Sequence, residues 1–510
     1  MRAPACPSCG FSQTNAPEHH PTLPQNTVTT DPYAWQQLID LESEITRVKA
    51  LLHQLEQQRS RLKRQLNACR SPVLQLPPEL TSEIFVTYLA HHEWDGLTSC
   101  LSDVLISRTP LLFGRICSAW RELAWSTPKL WSSMQLDLEN NNIDPILVNQ
   151  WLDRSGSLPL SICALLRCED YDQTAVVIMD AIAQHTERWC NIAFELPIFC
   201  YDSFKDDDNL KCYLPNLQHI FIGKESLGLD EFSRFDIFSV TPQLRSLSLK
   251  GVDVSDCVFS TNNLTKLRIE GECIDACMDI LQRSPHIIEC AFVNVQNTTS
   301  SIKHSLSNQL QLLRLEIPEE YDESIADIFN ALTVPALRKF HFYAEGQSLP
   351  PNSFISLMTR SSCSLQTLTL EFVSVGLDAN SDDELLQCLD AIPSLQELTL
   401  IGVRITDNTL RMLSCRDSSV VLPNLKVFDW GGSIRDFSVL VGFLHSRWDS
   451  RESTPSKENS HTISRLQSVN FWTFPSNVPD PDLLAQLQQF VEEGMEITRR
   501  TCAGTRSLFI

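Results

Sequence analysis

Three hydrophobic rhythms follow one another along the chain. Between Trp35 and Cys69, apolar residues alternate three and four apart: Leu38, Leu41, Ile45, Val48, Leu52, Leu55, then Leu62 and Leu66, with Arg59 interrupting the series. A 3.5-residue repeat keeps one narrow stripe on one side of a helix, and no proline or glycine breaks it, so a coiled-coil helix is predicted over 35–70. Ser71-Pro72 ends it. Two readings of the stripe stand side by side: a homodimer through a parallel pair, or a single amphipathic helix folded back on the downstream segments. From Leu74 the rhythm changes. Leu76-Pro77-Pro78-Glu79-Leu80 has the chemistry of a helix start, because proline lacks an N–H that would be orphaned there and Glu79 sits at the positive end of the dipole. Helical spacing then recurs in Leu80, Ile84, Phe85, Tyr88 and Leu89, in Leu97, Leu101, Val104 and Leu105, and in Leu112, Ile116, Trp120 and Leu123. A small all-α domain is predicted over 74–133. Three such short helices cannot bury all of this surface among themselves, so part of it is expected to face a partner.

The third rhythm is Leu-x-x-Leu-x-Leu with conservative substitutions. It begins at Leu217, Leu244, Leu264, Ile287, Leu310, Leu337, Leu365, Leu395, Leu425 and Leu466, at spacings of 27, 20, 23, 23, 27, 28, 30, 30 and 41 residues. These lengths are in or next to the range of leucine-rich repeats, in which each unit gives one strand and a returning segment and only stacking hides its apolar face. The segments at 130–195 read as divergent opening repeats. Asp322–Leu332, Asp383–Ala391 and Asp407–Ser414 read as returning helices, Arg447–Ser464 as a flexible polar insertion, and Asp480–Glu493 as a helix capping the array. The predicted fold is therefore α/β: a disordered tail (1–34), the coiled-coil helix, the helical domain, a repeat solenoid over 134–476 with strands on its concave face, and a capping helix and tail over 477–510.

Strand alternation selects the side chains that leave the core. It places Lys250, Lys266, Arg268, Arg314, Lys339, His341, Tyr343 and Trp472 on that face, where the early cations read as a basic strip for a ligand bearing carboxylates or phosphates. A solvated strip that binds nothing is the competing reading.

Charge narrows the partners. Lys plus Arg number 41 against 63 Asp plus Glu, a formal net of −22, which repels phosphate backbones and anionic membranes. Nucleic acid and membrane are excluded as expected partners. The absence of an apolar leader and of any long apolar run points to the cytoplasm or nucleus. The 18 cysteines show no framework spacing and read as buried small hydrophobes. Cys6-Pro7-Ser8-Cys9 is half of a zinc knuckle, with His19 and His20 as conceivable completing ligands, but the polar segment around it reads as tail. Asp206–Asp208 and Glu319–Glu323 read as solvated acidic loops. No nucleotide-binding, serine-nucleophile or metalloprotease signature is present, so no metal, cofactor or catalytic centre is expected.

One stretch resembles a known family. The Leu76-Pro77-Pro78-Glu79-Leu80 start with Ile84-Phe85, followed by Cys117-Ser118-Ala119-Trp120-Arg121, is similar to the F-box, the adaptor-binding module of Skp-cullin ubiquitin ligases. Trp125-Ser126-Thr127-Pro128-Lys129-Leu130-Trp131 resembles the F-box-like proteins of mushroom-forming fungi. The segment from His91 to Thr109 is longer than in the compact F-box. The resemblance implies that Leu76, Pro77, Pro78, Leu80, Ile84, Phe85, Cys117 and Trp120 meet a Skp-type adaptor and its cullin core, while the repeats hold a protein substrate. A scaffold without ubiquitin transfer is the alternative.

Overall fold

The computed structural model describes residues 32–89, 109–140, 143–166, 173–204, 214–223, 238–252, 258–296, 304–317, 324–345, 349–373, 382–402, 407–414, 420–431, 436–448, 463–472, 480–501 and 504–507. Residues 1–31, with Cys6, Cys9, His19 and His20, lie outside these. So do 90–108, which hold the middle helical set expected in the all-α domain, and both acidic runs. The chain divides into two compact units, Met1–Pro77 and Pro78–Ile510.

In the first unit, α1 (Pro32–Arg70) is followed by a 3-10 turn at Pro72–Gln75. The helix begins three residues before the predicted start. At 39 residues it is roughly 58 Å long. All of its described side chains are exposed, the stripe included.

The second unit opens with α2 (Pro78–Leu89), α3 (Thr109–Ile116) and α4 (Ser118–Trp125). The third apolar set is thus two helices, not one. Cys117 takes an extended backbone between them, and its Sγ accepts the Trp120 N–H at 3.4 Å, so it starts α4 as an N-cap instead of continuing α3.

The strands of the second unit are β1 (Ser133–Asp137), β2 (Leu160–Leu165), β3 (Trp189–Glu195), β4 (His219–Gly223), β5 (Ser246–Lys250), β6 (Lys266–Glu270), β7 (Glu289–Val293), β8 (Ser305–Leu306), β9 (Leu312–Ile317), β10 (Leu332–Thr333), β11 (Lys339–Glu345), β12 (Thr367–Val373), β13 (Glu397–Ile401), β14 (Val427–Gly431), β15 (Ser468–Trp472), β16 (Glu496–Thr501) and β17 (Gly504–Ser507). Apart from β8 and β10, which pair with each other, all join one 15-stranded sheet in chain order. Its pairings are parallel until β17, which runs antiparallel to β16. The two last strands correct the expectation of a bare helix and tail at the C-terminus.

Parallel neighbours require a return path. It is supplied in part by α5 (Pro145–Arg154), α6 (Gln173–Ala183), α7 (Ile274–Arg283), α8 (Ser324–Ala331), α9 (Pro351–Ser361), α10 (Asp382–Asp390), α11 (Asp407–Met412), α12 (Phe437–Trp448) and α13 (Pro481–Glu492). Their buried faces and the inward strand residues form one continuous core. All ten motif-opening residues, from Leu217 to Leu466, are fully buried.

Side chains tie successive units at the turns. The residue before the opening leucine reaches back one unit: Asn263 Nδ2 donates to the Pro242 carbonyl at 2.8 Å and Asn424 Nδ2 to that of Pro393 at 3.0 Å. Arginines at helix ends do the same. Arg360 donates to the carbonyls of Phe329 and Leu332, and Arg447 to those of Leu413, Val421 and Leu422 at 2.6–3.0 Å. Arg447 therefore belongs to α12, fully buried, and not to a flexible insertion. Its guanidinium satisfies carbonyls that a turn would otherwise bury unpaired. Residues 449–462 lie outside the described set. No described helix is long and apolar enough to cross a membrane.

Candidate docking surfaces

The helices α2, α3 and α4 enclose a small aromatic core of Phe85, Phe113, Ala124, Leu130 and Trp131. Phe85 stacks on Phe113 with centroids 4.0 Å apart, and Trp120 meets Phe85 edge-on at 4.8 Å. Trp131 donates its Nε1–H to the Ala124 carbonyl at 2.7 Å and packs against Trp151 of α5 at 4.9 Å. Arg154, also on α5, lies over the Trp131 ring at 4.9 Å. The helical module is thereby fixed to the first returning helix of the array.

This core corrects part of the expected adaptor surface. Phe85 is 1% exposed and Trp120 half-buried, so both hold the module together. Cys117 serves as a helix cap. What remains exposed keeps Pro78, Leu80 and Ile84 of the expected residues and adds others. Leu80, Ile84 and Tyr88, one turn apart on α2, are 55%, 54% and 61% exposed; Leu112 and Ile116 on α3 are exposed too, as is Pro78. Apolar residues cover a wide arc of α2, and the core takes only the side carrying Thr81 and Phe85. Leu76 and Pro77 are also exposed but belong to the first unit.

On the sheet face away from the helices, strand register sets side chains in rows. One row runs Glu195, Gly223, Lys250, Glu270, Val293, Glu316, Tyr343, Glu371; the next runs Phe221, Ser248, Arg268, Ala291, Arg314, His341, Thr369. The expected cations are here, yet each early one meets a carboxylate. Lys250 Nζ reaches across the intervening strand to Glu195 Oε1 at 3.2 Å. Gly223 leaves that path open: a Cβ there would stand 3.2 Å from the Glu195 Cγ and from the Phe221 ring. Glu195 is almost wholly buried, and its Oε2 has no hydrogen-bond partner among the described residues. Lys266 pairs with Glu289 at 2.9 Å, Arg268 with Glu270 at 3.5 Å and Glu316 at 3.7 Å, and Arg314 with Glu316.

The early part of the basic strip is therefore a lattice of mixed signs, because the same or a nearby strand supplies a glutamate to Lys250, Lys266, Arg268 and Arg314. Lys339 alone of the five named cations makes no ion pair among the described residues. Trp472 stands at the end of β15, and its side chain lies outside the described set.

Three groups on this face, His219, His341 and Tyr343, have displaced pKa values, and burial holds His219 below its usual value. Burial, with Arg314 beside it, holds the His341 imidazole below its usual value against the opposing pull of Glu371, 3.6 Å away, so it is neutral near pH 7. The Tyr343 hydroxyl donates to Glu345 at 2.6 Å, and that bond, with burial, pushes its pKa up to about 12. Lys250, Arg268, Glu316 and Tyr343 line a depression of about 400 Å³. Such a site offers both signs of charge to a polar ligand. Glu195, Glu289 and Glu345 were missed by reading the strands for cations alone; the same alternation, applied to both signs, finds all three.

Among the described residues, nothing on this face resembles an activated nucleophile. Elsewhere, Cys277, Cys290 and Cys388 are buried thiols whose pKa values burial pushes up, Cys388 to about 12. No cluster of metal-ligating residues is found among the described residues.

No protein-family model matches the chain, and no curated protein matches it. Among solved structures, a crystal structure of a Bacteroides fragilis protein aligns with 60% of this chain and 72% of its own, at 13% identity and a TM-score of 0.30.

Proposed function

We propose that the chain is a substrate-recognition subunit of a Skp-cullin-F-box ubiquitin ligase, with leucine-rich repeats as its recognition platform. The observation that carries this reading is the stripe of Leu80, Ile84 and Tyr88, left exposed on a helix that opens at Pro78 while its neighbour Phe85 is buried. Exposed apolar residues at one-turn spacing are costly to leave in water and suit a partner helix. In this account Pro78, Leu80 and Ile84 dock the Skp-type adaptor, and Phe85, Cys117 and Trp120 hold the docking helix in place. The sheet face with its paired charges takes a protein segment carrying both signs of charge. The subunit acts by proximity, raising the concentration of target lysines near a ubiquitin-charged enzyme, and leaves chemistry to its partners. Its place of action is the cytoplasm or nucleus, where that machinery operates.

The second reading is a scaffold without ubiquitin transfer, favoured by the exposed stripe of α1, which is a further binding surface. A pull-down on the Skp-type adaptor separates the two. The ligase reading expects the wild type to be retained and Pro78→Ala/Ile84→Glu to be lost. Failure of the wild type to bind leaves the scaffold.

A further inference from the structure

The stripe of α1 runs through a regular heptad. With Leu38 at the first core position, the core pairs are Leu38/Leu41, Ile45/Val48, Leu52/Leu55, Arg59/Leu62 and Leu66/Cys69. The eight apolar residues named from Leu38 to Leu66 are 45–62% exposed. The flanking position after each second core residue carries Glu42, Lys49, Glu56 and Lys63. None of these four side chains makes an ion pair among the described residues, whereas Glu44 is engaged by Arg47 at 2.6 Å. We infer that α1 pairs with a second copy of itself, and that the two helices run antiparallel.

Charge decides the direction. Residues 32–51 carry Asp40, Glu42 and Glu44 with Arg47 and Lys49, whereas residues 52–70 carry Glu56 with Arg59, Arg61, Lys63, Arg64 and Arg70. A parallel pair lays the basic halves side by side and sets Arg59 against Arg59 within the core. It also turns Lys63 towards the partner's Gln58, an uncharged group. An antiparallel pair sets each basic half against the acidic half of the other. In full overlap Leu38 meets the partner's Cys69, Leu41 the partner's Leu66, Ile45 the partner's Leu62, and Leu52 the partner's Leu55. Arg59 then faces the partner's Val48, one helical turn from the partner's Glu44. The flanking positions come together as Glu42 with the partner's Lys63 and Lys49 with the partner's Glu56, each occurring twice by symmetry. Every flanking pair of this kind is attractive. In this register Arg70 lies level with the partner's Gln37, so the C-terminal ends of the two helices are roughly 50 Å apart and the two chains continue from opposite ends of the pair.

Cys69 is exposed and unpaired, which makes it a native probe of direction. The full-length chain is oxidised under mild conditions and its disulfide-linked peptides are identified by mass spectrometry, alongside the size of the particle in solution. The antiparallel dimer gives no Cys69–Cys69 link in the wild type, and in Leu38→Cys it gives a link from the introduced thiol to the partner's Cys69. Lys63→Glu should weaken the dimer by roughly tenfold, since each copy exchanges an attraction for a repulsion, and Glu42→Lys added to it should restore affinity to within about twofold. A parallel pair predicts no effect of either change, because neither side chain meets a charge there. A Cys69–Cys69 link in the wild type, insensitivity to Lys63→Glu, or a monomer at tens of micromolar would each overturn the inference.

Discussion

Two leucine series run through this chain and meet opposite fates. The ten residues that open the Leu-x-x-Leu-x-Leu motifs are fully buried, while the eight apolar stripe residues of α1 are about half exposed. Residue type does not separate them; supply of a partner surface does. Each strand of the array finds its neighbour 20–41 residues further along the same chain, so covalent linkage delivers the covering surface. The seam of α1 shares its unit only with a 3-10 turn among the described residues, so its own unit supplies no covering surface, and the proposed second copy would provide one. The exposed residues of α2 belong with the second case: Phe85 is satisfied inside its own module, and Ile84 beside it is not.

Substitutions can break this contrast, beginning where burial is deepest. Arg447→Ala should cost about 4 kcal/mol in denaturant unfolding of the array, since the Leu413, Val421 and Leu422 carbonyls lose a charged donor inside the core. Leu398→Ala, which empties a site between strands and helices, should cost about 3 kcal/mol by the same measurement. Lys250→Met leaves Glu195 buried without its cation and should cost about 2 kcal/mol, whereas Lys250→Arg should recover part of it. Acidification should produce a milder change. His219 and His341 have pKa values held below the ordinary 6.5 mainly by burial, so the folded state resists protonation. Their contribution is intact above pH 6.5 and is lost as pH falls towards the folded-state values; the unfolding midpoint should decline below about pH 6.5, and less so in a His219→Gln/His341→Gln variant. Leu52→Ala should be the smallest, shifting unfolding of the array by less than about 0.5 kcal/mol because its side chain is exposed.

The strand array was legible because stacking imposes a repeat on the sequence. Even the degenerate opening segments at 130–195 became β1, β2 and β3. β16 escaped notice since Glu496–Thr501 holds one apolar residue, Ile497, amid charges and threonines, too little for a motif. On α2, periodicity named Ile84 and Phe85 alike. Both belong to one apolar arc, and only the position of Phe113 and Trp120 decides which of them is enclosed. The charge lattice of the sheet was harder still. Lys250 and Glu195 are 55 residues apart and meet over a glycine on the strand between, a relation that exists only once register is set.

The claim on which the functional account rests is that the free stripe of α2, and not its aromatic core, docks the adaptor. Titration of the Skp-type adaptor into the full-length chain by calorimetry tests this directly, comparing wild type, Ile84→Glu and the exposed control Val177→Glu on α6. The account predicts tight binding for wild type and control, and a loss of about a hundredfold or more for Ile84→Glu with an unchanged unfolding midpoint. Equal affinity of all three, or no binding by the wild type, would contradict it.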